Sequence, residues 1–325
     1  PFMRKLMLGA VLALASLTGA ASAQTFPAHP LTMVIPFAAG GPTDVLGRVI
    51  AARMGELLGQ NVIIENVGGA GGMTGSRRVA DARPDGYTFE MGTVGTHAQN
   101  QWLYAHPVYN AVTDFTPVAL IAEVPIVLIA RDDLPVSNLK EFVAYAKANQ
   151  AKMQFGSGGA GSASHLGCVV LNTAMGTNIT HVPYKGGALA MRDMMAGRID
   201  FECEIISTTK SHIDGGTVKA LAILSKTRSP VEPNLPTALE QGLDAQAYTW
   251  NAVFLPKGAP DAIVDKLNSA IVQVMKTPAV RERLEGFGAQ IVAEDHSTPE
   301  YLGRFVKSEI AKWEAPIKAS GVLVK

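Results

Sequence analysis

Three short stretches carry the residue types that could do chemistry. They are "AAGGPTD" at residues 38–44, "GSGGAGSAS" at residues 156–164 and "KGG" at residues 185–187. Each follows a β-rich run and precedes a stretch with helical spacing of apolar residues. In an open α/β sheet such turns lie at the carboxyl ends of the strands, where ligands bind. Each turn also brings a helix N-terminus there, with unpaired backbone N–H groups and the positive end of the helix dipole. Glycine lets the backbone approach closely, and Thr43, Ser162 and Ser164 add hydroxyl donors. The chemistry is anion binding, most simply of a carboxylate. A single such turn is an ordinary packing device, with Thr43 or Asp44 doing no more than capping a helix. Three in one chain favour a site.

Other chemistries fit less well. Gly156, Gly158 and Gly161 match the dinucleotide spacing G-x-G-x-x-G between a strand and a helix. That fingerprint also asks for an acidic residue at the end of the next strand, which here ends in Tyr184-Lys185. The seven histidines show no metal-binding spacing, and no serine sits in G-x-S-x-G. Ser164 and His165 are neighbours at a helix start and point apart, so His165 reads as a first-turn residue rather than a base. No cofactor, metal or catalytic residue is expected. In "IDFECEI", Glu202 and Glu204 share one strand face. They are either the solvated face of an edge strand or, at a cleft, Glu204 accepts hydrogen bonds from a ligand. Cys168 and Cys203 are the only cysteines; they read as two buried thiols, with one bridge as the alternative.

The elements that must position these turns follow βαβ order. "LTMVIPF", "NVIIENV" and "YTFEMGTV" read as strands, alternating with the helices "TDVLGRVIAARMGELLG" and "MTGSRRVADAR". A second unit begins near "PIVLIAR" with the same alternation. The expected architecture is α/β with two lobes, each a mostly parallel sheet flanked by helices. Long helices after residue 260 have to cover the first sheet, which makes lobe 1 discontinuous: residues 24–124 plus 248–325, with lobe 2 at residues 125–247. Ahead of them, Arg4 and Lys5 precede an apolar run and Ala21-Ser22-Ala23, the pattern of a secretory signal peptide over residues 1–23 cleaved before Gln24. Export to the periplasm is the expectation. Lys plus Arg and Asp plus Glu each number 28, so without Arg4 and Lys5 the chain is two charges to the acidic side. Nucleic acid and anionic membrane are poor partners for that balance, and a small solute a better one.

In this order, "VIPFAAGGPTD", "ENVGGAGGMTGS", "RPDGYTF", "DFTPVALIA", "GSGGAGSASHLG", "HVPYKGG" and "WEAPIKASG" resemble the Bug family of extracytoplasmic solute-binding receptors, which serve tripartite tricarboxylate transporters. The resemblance covers nearly the whole chain after the leader. It implies a monomeric periplasmic binding protein of the Venus flytrap type, holding a ligand carboxylate between two loops and delivering it to membrane transporter subunits. Carried onto this chain, the first loop supplies Phe37, Ala38, Ala39, Gly40, Gly41, Thr43 and Asp44. The second supplies Gly158, Gly159, Ala160, Gly161, Ser162 and Ser164. The resemblance further nominates Tyr184, Lys185 and Gly186 beside the cleft, with Thr93, His97 and Asn100 lining lobe 1; Gly71 and Gly72 open another helix toward it. The family more often has an aspartate or an amide where this chain has Glu204, and a larger apolar residue in place of Cys203. A sensor that reports the bound ligand to a signalling partner, or an exported hydrolase or lyase, would use the same frame.

Overall fold

The computed structural model describes residues 26–324 apart from Lys185. The expected signal peptide and its cleavage before Gln24 lie outside the described residues, as does Lys185. Strand β1 (Leu31–Ile35) leads through the first glycine loop into α1 (Pro42–Leu58). A proline in the first turn suits α1, because its missing N–H would be unpaired there anyway. Leu46, Val49, Ile50 and Met54 form its buried face. Next come β2 (Val62–Asn66), α2 (Met73–Ala80), β3 (Thr88–Thr93), a π-helical turn over Gly95–Gln99 and the short α3 (Asn100–Leu103).

The next strand, β4 (Phe115–Arg131), runs unbroken for 17 residues. It is followed by α4 (Leu139–Asn149), β5 (Gln154–Ser157), α5 (Ala163–Met175), β6 (Thr180–Pro183), α6 (Gly187–Met195), β7 (Phe201–Ile205), α7 (Ile206–Asp214) and β8 (Val218–Ile223). The chain returns through β9 (Tyr248–Pro256) to α8 (Asp261–Lys276), α9 (Pro278–Gly286), β10 (Gln290–Ile291) and α10 (Pro299–Ser320).

The strand order is β2-β1-β3-β9-β4-β7-β5-β6, with β8 and β10 also pairing β4. The outer ladders, β1 with β2 and β3 and β5 with β6 and β7, are parallel as expected. The middle is antiparallel: β9 pairs against β3 and β4, and β4 against β7 and β8. The sheet is therefore mixed. Residues 115–125 of β4 pair β9, and residues 126–130 pair β7, so one strand serves both halves of the sheet. Of its two internal prolines, Pro117 fits because the register against β9 shifts just after it, and Pro125 stands where β4 changes partner from β9 to β7.

Two elements differ from the sequence reading. The segment "YTWNAVFLP" is the central strand β9, and "ISTTKSHID" is the helix α7 that launches from the end of β7. Strand β7 itself lies between β4 and β5, so the edge-strand alternative for Glu202 and Glu204 is overturned; both side chains are buried. Cys168 and Cys203 are not free thiols. Helix α5 packs over β7 and brings their Cα atoms to 5.2 Å, and the two are joined as a disulfide. Closing a loop with a sequence separation of 35 contributes about 3–4 kcal/mol through the unfolded chain.

Among the C-terminal helices, α8 packs on α1 and β4, and α10 on β4, the π-turn and α5. Trp250 on β9 donates its indole N–H to Glu309 of α10 at 3.0 Å, and Trp102 donates to the Ile310 carbonyl at 2.7 Å. These bonds tie the last helix to β9 and α3.

Candidate functional site

The first loop is held by Asp44. Its carboxylate accepts the Gly40 N–H at 2.8 Å, the Arg48 guanidinium at 2.9 Å and the Asn66 amide at 2.9 Å. Asn66 also donates to the Phe37 carbonyl at 3.1 Å, fastening the other end of the loop. Burial pushes the Asp44 carboxyl up, but Arg48, the Gly40 N–H and Asn66 outweigh it and hold it below the usual carboxylate range. Asp44 is thus a positioning residue, 2% exposed, and caps its own loop. Helix α1 is left with no side-chain cap, so its first-turn N–H groups remain available. The left-handed backbone sits at Gly40, with φ +82°, while Gly41 is extended.

The second loop is more fully bonded to itself. Gly158 N–H donates to Ser164 Oγ at 3.0 Å, Gly159 N–H to Ser157 Oγ at 3.1 Å, and Gly161 N–H to His165 Nδ1 at 3.1 Å. Ser162 caps α5 by accepting the His165 N–H at 3.2 Å. The glycine amides that the sequence points to are therefore largely consumed. Among the described residues outside the helix starts, the exposed loop amides that donate to nothing are those of Ala38 and Ala39 in the first loop and Ala160 in the second, while the half-buried Phe37 amide also finds no acceptor. All three alanines are exposed.

His165 does sit in the first turn of its helix, stacked on His181 at 4.0 Å. Burial, and secondarily His181, lower its pKa to about 3, consistent with an Nδ1 that accepts rather than donates. His181 is lowered to about 4 by burial, and lies 2.6 Å from Ser157 Oγ.

The third turn backs the second loop. A Cβ on Gly158 would lie 3.3 Å from the Gly187 nitrogen, and one on Gly159 would lie 3.1 Å from the Tyr184 carbonyl. The Tyr184 hydroxyl is turned to Asp193 of α6, at 2.8 Å, and Gly186 precedes α6 without a side-chain cap. Glu204 stands behind this helix start. A Cβ on Gly187 would collide with Glu204 Oε2, and Glu204 Oε1 accepts the Ile205 N–H at 2.8 Å. Burial raises the Glu204 carboxyl to about 7, against the opposing pull of Ile205 N–H and Ser164. Glu202 is fully buried, with no partner on either oxygen among the described residues, and burial and then Glu204 raise it further.

On the other side, Gly72 packs against Phe37 and Thr96, and Asn100 donates to the Gly71 carbonyl at 3.0 Å. Gly161 meets Leu103, so the second loop, α3, the Gly71–Gly72 turn and the first loop form one continuous wall. Thr93 and Asn100 are buried within that wall. His97 lies deeper, fully buried and stacked on Phe254 at 3.7 Å. Its Nε2 faces Glu90 Oε2 at 3.9 Å. Burial lowers His97 to about 3 and raises Glu90 to about 8, so the two face each other as neutral groups at pH 7.

A cavity of about 120 Å³ continues from the first loop. It is lined by Gly40 and Thr43 of the first loop, by Ser207 and Thr208 of α7, and by Val124, Thr249 and Asn251 of β4 and β9. None of these last five was nominated from sequence. Four of the five lie on α7 and β9, elements the sequence reading left unassigned, and Val124 lies in the part of β4 ahead of "PIVLIAR", so no signal placed them beside the loop.

With the geometry in view, the likeness to known proteins is specific. Residues 46–322 match the model of the family described as "Tripartite tricarboxylate transporter family receptor". A relative from Agrobacterium vitis, the UPF0065 protein in the TAR-I ttuE-ttuC' intergenic region, is 39% identical over 91% of this chain and 86% of its own. Among solved structures, the periplasmic binding protein BugD is 38% identical with a TM-score of 0.84, covering 92% of this chain and all of its own. MatC from Rhodopseudomonas palustris with bound malate is also 38% identical, with a TM-score of 0.83 over 90% of this chain and all of that one.

Proposed function

Because the chain belongs to the tripartite tricarboxylate transporter receptor family, we propose that it is a periplasmic receptor that captures a small organic acid and delivers it to a membrane transporter. The α/β fold is that of the periplasmic binding protein BugD and of MatC. In this reading the ligand lies between lobe 1, residues 24–124 with 248–325, and lobe 2, residues 125–247, which share β4 and β9 as the hinge. One observation carries the proposal. The exposed Ala38 and Ala39 amides beside the uncapped α1, and the Ala160 amide of the second loop, are donors left without acceptors, each held in place by a loop bonded to itself. A carboxylate supplies the missing acceptors without any cationic side chain.

Closure then follows from the ligand. Only contacts that improve when both loops reach the same carboxylate can shift an open–closed equilibrium. Nothing in the arrangement calls for bond making, and binding without turnover is the expected behaviour. A thermal-shift panel of mono- and dicarboxylates tests this. At 100 times its Kd the right acid adds about 2.7 kcal/mol, a rise of roughly 5 °C for a chain of this size. Ligand concentration followed by NMR stays constant over hours. No shift with any acid, or steady consumption of one, would reject the reading.

A further inference from the structure

We propose that Glu204 links capture of the acid to a proton: it is neutral while the second loop holds the ligand, and its ionisation weakens that hold. The inference rests on the receptor reading above and adds a pH dependence to it. The carboxyl is wedged where the starts of three helices meet. Its Oε1 accepts the Ile205 N–H at the start of α7, at 2.8 Å. Its Oε2 fills the place of the side chain that Gly187 lacks at the start of α6. The Ser164 hydroxyl, in the first turn of α5, steadies its ionised form. Ser164 Oγ in turn accepts the Gly158 N–H at 3.0 Å and lies 3.2 Å from Ser162 Oγ, which donates to the Gly159 carbonyl at 2.7 Å. One hydroxyl thus joins Glu204 to the loop whose Ala160 amide awaits an acceptor. Cys168 lies one turn beyond Ser164 on the same face of α5 and is bonded to Cys203, which fixes this helix start against Glu204.

The charged groups on the elements packed around β7 are turned to other partners. Across the ladder β4 presents Val127, while its Glu123 faces Glu309 and Lys312 and its Arg131 pairs with Asp133 and Asp200. Strand β5 presents Phe155 and Gly156. On α5, His165 accepts the Gly161 N–H and stacks on His181 of β6. On α6, Asp193 is taken by the Tyr184 hydroxyl and Arg198, and Arg192 is exposed. On α7, Lys210 pairs with Asp214 and Glu232, and His212 meets Thr217. Glu202, two residues back on β7, is a second buried carboxyl rather than a counterion. Among the described residues no cation bears on Glu204, so burial decides and puts its titration at about 7. A carboxylic ligand, ordinarily near 4, is already ionised there. Held on the Ala160 amide of the same loop, that ligand is a like charge, and a like charge disfavours ionisation of Glu204. The effect is reciprocal: whatever factor the bound acid adds to the proton affinity of Glu204, the proton adds to the affinity for the acid. Binding is therefore tighter below neutrality and weaker above it.

Calorimetry with butyrate, succinate, malate and adipate between pH 6.5 and 9 tests the link. For the tightest binder, the affinity of the unaltered protein is expected to fall about tenfold or more across that range. Titrations at pH 8 in two buffers of different ionisation heat are expected to show uptake of part of a proton per acid bound. Glu204→Gln keeps the shape and stays neutral at every pH. It is expected to bind within about threefold of the unaltered protein at pH 6.5, to hold that affinity to pH 9 and to take up no proton. If Glu204→Gln does not fold, Gly187→Ala carries the test, because its methyl group must displace Oε2 and is expected to move the midpoint of the fall. A flat profile without proton uptake in the unaltered protein, or a fall that these variants leave unchanged, would overturn the link and leave the receptor reading intact. Binding of none of the four acids would reject both.

Discussion

Gly40→Val is expected to weaken carboxylate binding by about tenfold or more, whereas Gly41→Ala, one residue on, leaves affinity within about threefold. The sequence nominates Gly40 and Gly41 alike as places where the backbone stays bare. The coordinates place the requirement on Gly40. Gly40 has φ +82°, a conformation that costs a side-chain-bearing residue about 1–2 kcal/mol and a β-branched one more. Gly41 has φ −76° and ψ 170°, which any residue adopts, and a Cβ there meets its nearest neighbour, the Ala38 carbonyl, at an ordinary 3.4 Å. Nothing lies within 4 Å of a Cβ on Gly40, so the loss comes from the backbone and not from a clash. With valine the loop leaves the conformation in which Gly40 N–H meets Asp44 and the Ala38 and Ala39 amides face outward. Calorimetry on the two variants, alongside their thermal midpoints, separates lost binding from lost fold. Equal losses at both positions would remove the loop conformation from the account.

Stability should peak on the acid side of neutrality, and this too follows from buried groups. Glu90, Glu202 and Glu204 are raised by burial to about 8, 9 and 7 from an ordinary 4.5. The folded state therefore holds their protons over a range where the unfolded chain releases them. That stabilisation is complete below pH 4.5 and is lost as pH rises toward 9. His97, His165 and His181 are lowered by burial to about 3, 3 and 4 from 6.5. They stabilise above pH 6.5, and that contribution is lost as pH falls toward 3. Between pH 4.5 and 6.5 the two slopes oppose each other, giving a plateau. Above it, stability falls by on the order of 1 kcal/mol per pH unit for each glutamate still protonated. Thermal midpoints from pH 4 to 9 check the shape, and Glu202→Gln should flatten the alkaline limb, because the neutral amide has no proton to lose. A midpoint that climbs from pH 6 to 8 would show that these glutamates are ionised in the folded protein.

What could be read in the sequence was whatever repeats locally. The loops at residues 37–44 and 156–164 are legible because turn glycines, a preceding β run and a following helical period all lie within twenty residues. Helix α1 is marked at both ends, by Pro42 and by Gly59. Strand β9 is not legible, because it runs through the middle of the sheet with eight of its nine residues buried, and a strand buried on both faces shows no alternation. Helix α7 is built from serine, threonine and isoleucine, weak helix formers that fold here because β7 delivers them to the sheet's end. The disulfide needs a Cα distance, and spacing in sequence does not supply one.

The division of labour within the loops is a matter of coordinates as well. Composition marks the glycines, but the exposed loop amides left for a ligand belong to Ala38, Ala39 and Ala160, because Asp44, Ser157, Ser164 and His165 have taken those of Gly40, Gly159, Gly158 and Gly161. Asp44 looked like a ligand contact or a helix cap and is a brace. Asn251 and Ser207 had no sequence signal at all, since their elements were not recognised.

The most direct test of the clamp is a calorimetric titration of the protein with the acid that gives the largest thermal shift, set beside its methyl ester. The ester keeps the carbon skeleton and removes the charge that the amides and helix start are arranged to receive. The account predicts one acid bound per chain and no measurable heat from the ester at the same concentration. Ester binding as tight as the acid's would contradict it.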